Sequence, residues 1–523
     1  MLTFRTLGKR WPLSLTSLPP GETRVRERAA EIPFFRSLLA NGRKTGGRLP
    51  RLERKGTDRG PLESDEIVEK VHLLSLGCPK NLVDSELMLG ALTRAGFEIT
   101  MAPEDAQVLV VNTCAFIEAA KKESIDAILQ AAEVKKRVAG RRLVVAGCLS
   151  QRYGDQLREL LPEVDVFVGT GNFLDLPDLL RATQPPEQKP VPYPGAAHLL
   201  PAADVPRITT TSFFSAYLKV SEGCNHKCAF CIIPKIRGPH ESRPIASIVE
   251  EATTLAARGV REFNLIAQDL TAYGRDLNPP ASLASLLRAL AQIEGMKWIR
   301  LLYCYPNFVT DQLLETIAEL PQVVNYIDMP LQHADDAILR AMRRERSGAA
   351  LERLLDKIRA HIPDVALRTS FIVGFPGETD AAFARLVEFV RAQRFDRVGV
   401  FTYSREENTA AYSLTDQVAP RVMRARRARL MEVQAEVSLE RNRSLIGREV
   451  EVMVESQGPG PGRLHGRTAA QAPEIDGMVF LRGEAEPGEF IRARIEKAFT
   501  YDLHARVLDA TEPEPTERLA IHA

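Results

Sequence analysis

Between about residue 70 and residue 404 the chain alternates short, nearly unbroken apolar runs with longer stretches of helical spacing. VHLLSL (71–76), VLVVN (108–112) and LVVAG (143–147) open the series. Between them lie LVDSELMLGALTRAG and FIEAAKKESIDAILQAAEVKK, whose apolar positions recur as on one helix face. Apolar runs alternating with helices predict a parallel α/β sheet buried on both faces. The pattern resumes with SAYLKV, EFNLIAQD, WIRLLYCYP, VNYIDMPLQH, LRTSFIVGFPGE and DRVGVFTYS, from Ser212 to about Ser404. Six such units predict an incomplete barrel with its site at the C-terminal strand ends. A charged stretch at 421–447 reads as a solvated connector helix of about seven turns. Beyond it REVEVMVE, EIDGMVFLR, EFIRARIEKAF and LHARVLD alternate apolar and polar residues, which predicts a small antiparallel barrel. The predicted fold class is therefore α/β, with an N-terminal parallel α/β domain, a central partial (β/α)6 barrel and a C-terminal small antiparallel β-barrel.

Composition changes this picture little. A chain of 523 residues with 45% apolar and 26% charged content is an ordinary soluble composition, long enough for two to four domains. No apolar run approaches the roughly 20 residues that span a bilayer, so no membrane partner is expected. Seven cysteines, mostly far apart, are too thinly spread for a disulfide framework and point to a reducing cytoplasm. Net charge is +1, which hides an asymmetry: residues 1–60 carry 14 Lys+Arg against 5 Asp+Glu, a net of +9. That leader lacks sustained periodicity. Residues 1–65 read as a disordered basic extension, or a start assigned too far upstream, in preference to a basic arm for ribosomal RNA. QPPEQKPVPYPG reads as an interdomain linker, and ATEPEPTERLAIHA as a disordered tail.

The chemistry sits in the cysteines. Cys224, Cys228 and Cys231 share the string CNHKCAFC, and the C-x3-C-x2-C spacing sets three thiolates on one short loop. Three thiolates without a fourth suit an iron–sulfur cube with one iron left open for a substrate or cofactor. The competing reading is a zinc knot of Cys228, Cys231, His226 and a distant partner, disfavoured because no second close cysteine pair follows. Cys78, Cys114 and Cys148 each follow one of the first three apolar runs and lie 34 to 36 residues apart. Ligands of parallel sheets bind beyond the carboxyl ends of the strands, so all three can converge on a second metal centre. Cys304, inside LLYCYP, reads as a buried inert thiol. Gln268, Asp269, Gln332, His333, Gly374, Glu378, Tyr403 and Ser404 fall at predicted barrel strand ends and suggest a shared pocket.

The strings SLGCPKNLVDSE, NTCAFIEAAKKESI, GCLSQRY, EGCNHKCAFCIIPKIRG, SRPI, LIAQDLTAYG, YIDMPLQH, RTSFIVGFPGET and RVGVFTYSREENTAA resemble the ribosomal-protein branch of the radical S-adenosylmethionine (SAM) methylthiotransferases. GRTAAQAPEIDGMVF resembles the TRAM domain that closes this family. The resemblance spans roughly residues 70–505. It implies a disordered extension at 1–65, an N-terminal methylthiotransferase domain at 66–185, a linker at 186–209, a radical SAM domain at 210–440, a TRAM domain at 441–510 and a tail at 511–523. By the same resemblance, Cys78, Cys114 and Cys148 hold an auxiliary [4Fe–4S] cluster, and Cys224, Cys228 and Cys231 hold the radical SAM [4Fe–4S] cluster. Gln268, Gly374 and Glu378 are assigned to the SAM pocket. The implied reaction adds CH3–S to the β-carbon of an aspartate on the small-subunit ribosomal protein S-twelve, alone or within the small ribosomal subunit. An external electron donor of flavodoxin or ferredoxin type is implied. One departure is Asn408, where glycine is usual. The rival within the family is a tRNA adenosine methylthiotransferase, and the rival of another class is a non-catalytic iron–sulfur protein that binds ribosomes or RNA. Residues 445–510 carry 8 Lys+Arg and 11 Asp+Glu, a net of −3, so a basic protein partner is expected and tRNA is not.

Overall fold

The computed structural model describes residues 68–182 and 206–508. The leader at 1–65, the tail at 511–523 and the linker segment up to residue 205 lie outside the described residues.

The first five strands are β1 (Lys70–Ser75), β2 (Glu98–Ile99), β3 (Val108–Thr113), β4 (Arg142–Gly147) and β5 (Val166–Val168). They form a wholly parallel sheet in the order β2-β1-β3-β4-β5. Both faces are covered, as the continuous apolar runs require. Val71, Val108, Val110, Val144 and Ala146 pack with residues of helices Pro79–Arg94 and Leu176–Arg181. Leu109, Val111, Leu143 and Val145 pack with helices Glu118–Lys136 and Cys148–Leu160. The two short outer strands β2 and β5 carry too little pattern to have been read from sequence.

The second sheet holds β6 (Ser215–Lys219), β9 (Glu262–Ile266), β10 (Trp298–Leu301), β11 (Val323–Asp328), β12 (Ala366–Val373) and β13 (Arg397–Thr402), ordered β13-β12-β11-β10-β9-β6 with β6 and β13 as free edges. All six expected strands are present, and their pairs are parallel. A small antiparallel hairpin, β7 (Ser221–Glu222) with β8 (Glu241–Ser242), pinches the base of the Cys224 loop. One face of this sheet is buried under its helices, with Leu218, Leu265, Leu301, Leu367 and Phe371 fully in the core. Tyr217, Ile266, Trp298, Leu302 and Tyr326 on the other face join the core of the first sheet, and so do Met453 and Ala472 of the terminal barrel. One apolar cluster thus joins all three units.

Helix Pro420–Arg443 departs from the solvated connector expected of its charge. Leu430 and Val433 are fully buried, Arg426 is buried against Glu378, and Gln434 Nε2 donates to Phe395 O. The helix is packed along the barrel, with its other arginines on the outer side.

The terminal strands β14 (Glu449–Gln457), β15 (Arg463–Thr468), β16 (Val479–Arg482), β17 (Phe490–Ala498) and β18 (Leu503–Val507) close into a barrel ordered β14-β15-β16-β18-β17. Two features differ from the sequence expectation. The β16–β18 pair is parallel, while the others are antiparallel. Strand β15 was hidden by its charge and by Gly466, a position where a Cβ would lie 2.5 Å from Met453 O. Close backbone approach there demands glycine.

Candidate active site

Strand register aligns the first three thiols. Ser75 pairs with Asn112 and Thr113 with Gly147, so Cys78, Cys114 and Cys148 all emerge just past the same edge of the sheet. Gly147 makes the turn with φ +89°, and a Cβ there would sit 2.2 Å from Asn112 Oδ1 and 2.8 Å from Thr113 O. Gly77, at φ +96°, lies so close to Cys114 that its Cβ would come within 2.8 Å of that residue's Cβ. Only glycine tolerates both demands. Gly147→Ala is therefore expected to displace Cys148 and to lower the iron that the reconstituted protein binds, with the Cys224 loop unaffected. Full iron content in that variant would contradict this role for the turn.

A polar floor fixes these strand ends. Asn81 Nδ2 donates to Leu76 O (2.6 Å) and Thr113 O (3.2 Å), and Asn112 Nδ2 donates to Asn81 O (2.9 Å) and Ser85 Oγ (2.7 Å). Ser124 Oγ accepts from Cys114 N and donates to Cys114 O, each at 2.9 Å. The string NLVDSE is thus buried polar scaffolding, with Asn81, Asp84, Ser85 and Glu86 all inside.

The second group of thiols stands on the loop after β7. Gly223 turns with φ +73°, where a Cβ would meet Pro239 O, and Cys224 N donates to Gly238 O. Cys231 N donates to Cys228 O at 3.1 Å. His226 is fixed in place: its ring stacks on Tyr305 at 3.7 Å, and Nε2 lies 2.6 Å from Asp269 Oδ2. Arg344 lies over the same Tyr305 ring, 4.1 Å from its centroid, and donates to Cys228 Sγ at 3.7 Å. Burial pushes the Cys224 thiol up to about 11 and Cys231 to about 12; it raises Cys114 and Cys148 as well. Buried thiols of this kind are neutral alone. Among the described residues no three of His, Cys, Asp and Glu stand close enough to hold a single metal ion; three thiols in each group are the donor set that suits a larger iron–sulfur cube.

One buried ionic network runs from Cys148 to Glu222, two residues before Cys224. Arg237 Nη2 donates to Cys148 Sγ at 3.6 Å and to Asp84 Oδ2 at 3.0 Å, while Nη1 donates to Glu222 at 2.9 Å. Lys219 Nζ bridges Asp84 (2.5 Å) and the same Glu222 oxygen (2.9 Å). Two acids and two bases balance, which makes burial of four charges tolerable. Desolvation would raise the Glu222 carboxyl, but Arg237 and Lys219 hold it well below the usual carboxylate range. A second buried cluster, Glu406 with Lys121 and Arg152 at 2.7 Å each, ties the first domain to the loop after β13. None of these charges was singled out from sequence, where a lone charge reads as solvated. The signal lay in their position inside apolar motif strings.

The three residues assigned to the SAM pocket fall into two places. Gln268 Nε2 donates to Glu222 Oε1, and its buried Oε1 has no partner among the described residues, an acceptor suited to a donor group of a bound ligand. Gly374 and Glu378 meet each other instead. Glu378 is buried and accepts from Gly374 N, from His333 Nε2 (3.2 Å) and from Arg426 Nη1 (2.9 Å). Asp335 N donates to His333 Nδ1 at 2.9 Å, which fixes the ring proton on Nε2. Glu378 thus stitches the GFPGET turn to β11 and to the long helix. Of the other strand-end residues, Asp269 also caps the turn Leu270–Ala272, Ser404 Oγ donates to Glu406 (2.7 Å), and the buried Tyr403 hydroxyl has no partner. Cys304 is buried, with its thiol raised well above the ordinary range. Asn408 sits at φ +66°, so it takes the left-handed conformation natural to glycine. A cavity of about 470 Å³ lined by Glu69, Glu104, Asp105 and Arg141 lies at the opposite end of the first sheet, away from the thiols.

Residues 70–169 match the family described as uncharacterized protein family UPF0004, residues 218–390 the radical SAM superfamily, and residues 446–508 the TRAM domain. A ribosomal protein uS12 methylthiotransferase RimO from Myxococcus xanthus is 49% identical over 456 residues, covering 86% of this chain and 94% of that protein. One from Citrifermentans bemidjiense is 46% identical over 448 residues, covering 85% and 100%. Among solved structures, the radical SAM methyltransferase TsrM of Kitasatospora setae with cobalamin and a [4Fe–4S] cluster gives a TM-score of 0.47 at 14% identity, over 76% of this chain and 81% of that one. Identity at this level over nearly the full length of such relatives places the chain in the ribosomal protein uS12 methylthiotransferase family.

Proposed function

We propose that this protein attaches a methylthio group to the β-carbon of an aspartate on ribosomal protein uS12. The observation that carries the reading is the arrangement of two thiol groups at neighbouring strand ends, with Arg237 reaching from Cys148 to Glu222, two residues before Cys224. A cluster held by three thiolates supplies, when bound, an open iron for SAM and the reducing power that reaches an unactivated carbon. Cys224, Cys228 and Cys231 would hold that cluster, and Cys78, Cys114 and Cys148 the auxiliary one that carries sulfur. Arg237 and Arg344 each place an N–H donor toward one sulfur, that of Cys148 and that of Cys228. Gln268, anchored on Glu222 beside the Cys224 loop, offers its free oxygen to SAM. Gly374 and Glu378 shape the pocket wall indirectly, by fixing the GFPGET turn. The apolar cluster shared by all three units excludes water from this interior.

The electron donor is proposed to be of flavodoxin or ferredoxin type and the compartment the cytoplasm, where buried thiols stay reduced. Among the described residues, no helix is long and apolar enough to cross a membrane.

The acidic terminal barrel favours a basic protein over tRNA. Reconstituted, reduced protein is expected to methylthiolate uS12 or the small subunit and to leave anticodon stem-loops carrying modified adenosine unchanged. Reversal of the exposed Glu484, Glu486 and Glu489 to lysine should weaken association with uS12 several-fold while iron content stays constant. Modification of the stem-loop with uS12 untouched would overturn the assignment and install the tRNA reading.

A further inference from the structure

Lys80, the second residue of helix Pro79–Arg94, is only 7% exposed, and its Nζ lies 3.2 Å from the ring centroid of Tyr303. Among the described residues no carboxylate or carbonyl accepts a hydrogen bond from it. The nearby acids are already engaged. Glu222 is held by Lys219 and Arg237; Asp328 Oδ1 accepts from Arg368 at 2.7 Å and Oδ2 from Tyr303 N at 3.1 Å.

Three costs meet at this lysine. A buried cation without an acceptor is expensive. The first turn of a sixteen-residue helix is the end where the macrodipole repels cations. Tyr303, whose ring lies against the ammonium, holds φ +65°, a strained conformation for a bulky residue. An apolar side chain would fill the same space without these costs. Strain and unmet polarity concentrated at one point are the marks of a site awaiting a ligand.

Position says which ligand. Lys80 is two residues from Cys78, and Tyr303 follows the end of β10 by two residues, so the ammonium stands where the C-terminal ends of the two sheets meet. An ammonium whose donors are free, at a helix N-terminus, selects an anion. We propose that Lys80 receives the side-chain carboxylate of the substrate aspartate, above the Tyr303 ring. This inference rests on the function proposed above. The carboxylate carbon is bonded directly to the β-carbon, so a grip on it fixes the reacting atom beside the Cys78 group.

The test is binding of uS12 to the reconstituted full chain without reductant, using uS12 with its target aspartate intact or replaced by asparagine. The intact protein should bind the aspartate form about tenfold more tightly or better, the scale of one buried charge-assisted contact. Lys80→Met should bind both forms with equal affinity, with iron content, cluster absorbance and SAM affinity unchanged. Lys80→Arg, which keeps the charge, should retain the preference. A Lys80→Met protein that still prefers aspartate, or that loses iron or SAM affinity, overturns the inference and gives Lys80 a cluster-holding or SAM-holding role. Wild-type protein that modifies uS12 yet binds both forms alike also overturns it. Wild-type protein that modifies no uS12 at all overturns the proposed function, and this inference with it.

Discussion

Alanine at Cys224, Cys228 and Cys231 is expected to remove half of the reconstituted iron and all cleavage of SAM. Alanine at Cys78, Cys114 and Cys148 is expected to remove the other half, to leave SAM cleavage in place, and to stop methylthio transfer. Intact protein should bind about eight irons, two cubes of four. The prediction follows from the way each group is supported. The first stands on β1, β3 and β4 with its floor of Asn81, Asn112 and Ser124; the second stands on the β7–β8 hairpin with His226, Tyr305 and Arg344. The ionic network around Arg237 lies beside both; Cys148→Ala removes one sulfur contact of Arg237 but leaves Asp84, Lys219, Glu222 and Arg237 paired with one another. About four irons in the intact protein, or equal loss of SAM cleavage from both variants, would contradict the assignment of two centres.

Glu262→Gln is expected to cost about 3–5 kcal/mol of stability, because it removes the carboxylate that faces two buried arginines, Arg300 and Arg467, of which Arg467 alone keeps a second acid, Glu455. Glu262 opens β9 and is fully buried; it accepts from Arg467 Nη2 at 2.6 Å, Arg300 at 3.2 Å and Ser215 Oγ at 2.7 Å. Arg467 belongs to β15, so this carboxylate pins the terminal barrel to the central sheet, beside the Arg300 contact to Ala469 O and the Tyr326 contact to Asp476. Burial opposes the charge on Glu262, but Arg467 and Arg300 outweigh it and bring the carboxyl down to about 2. Its folded value therefore lies below its unfolded value near 4.3. The stabilisation is complete above that unfolded value and fades as pH falls from about 4 toward about 2. Thermal midpoints of wild type should drop steeply across that window, and those of Glu262→Gln should start lower and fall less. Equal midpoints for the two proteins at pH 7 would show that the barrel is held elsewhere.

The sequence made the strands and the thiol positions legible because both rest on local pattern. Apolar runs such as VLVVN can be satisfied only by burial on two faces, and a cysteine immediately after such a run has one place to go. The six barrel strands were readable for the same reason. Pairing that depends on closure was not: nothing in VFLR or LHARV announces that β16 and β18 run parallel. Glu222, Lys219, Asp84 and Arg237 were invisible as a group because a charge in a sequence looks solvated until its partner, as far as 153 residues away for Asp84 and Arg237, is brought beside it. The same blindness made helix Pro420–Arg443 look solvated, although Arg426 is buried on Glu378. It also hid the protein partners of Glu378, whose oxygens accept from Gly374, His333 and Arg426.

Mass spectrometry of uS12 from cells with and without this protein tests the central claim most directly. The account predicts one aspartate carrying a methylthio group in place of a β-hydrogen when the protein is present, and the unmodified residue when it is absent. Identical uS12 from both, with a methylthio group missing instead from a tRNA adenosine, would contradict it.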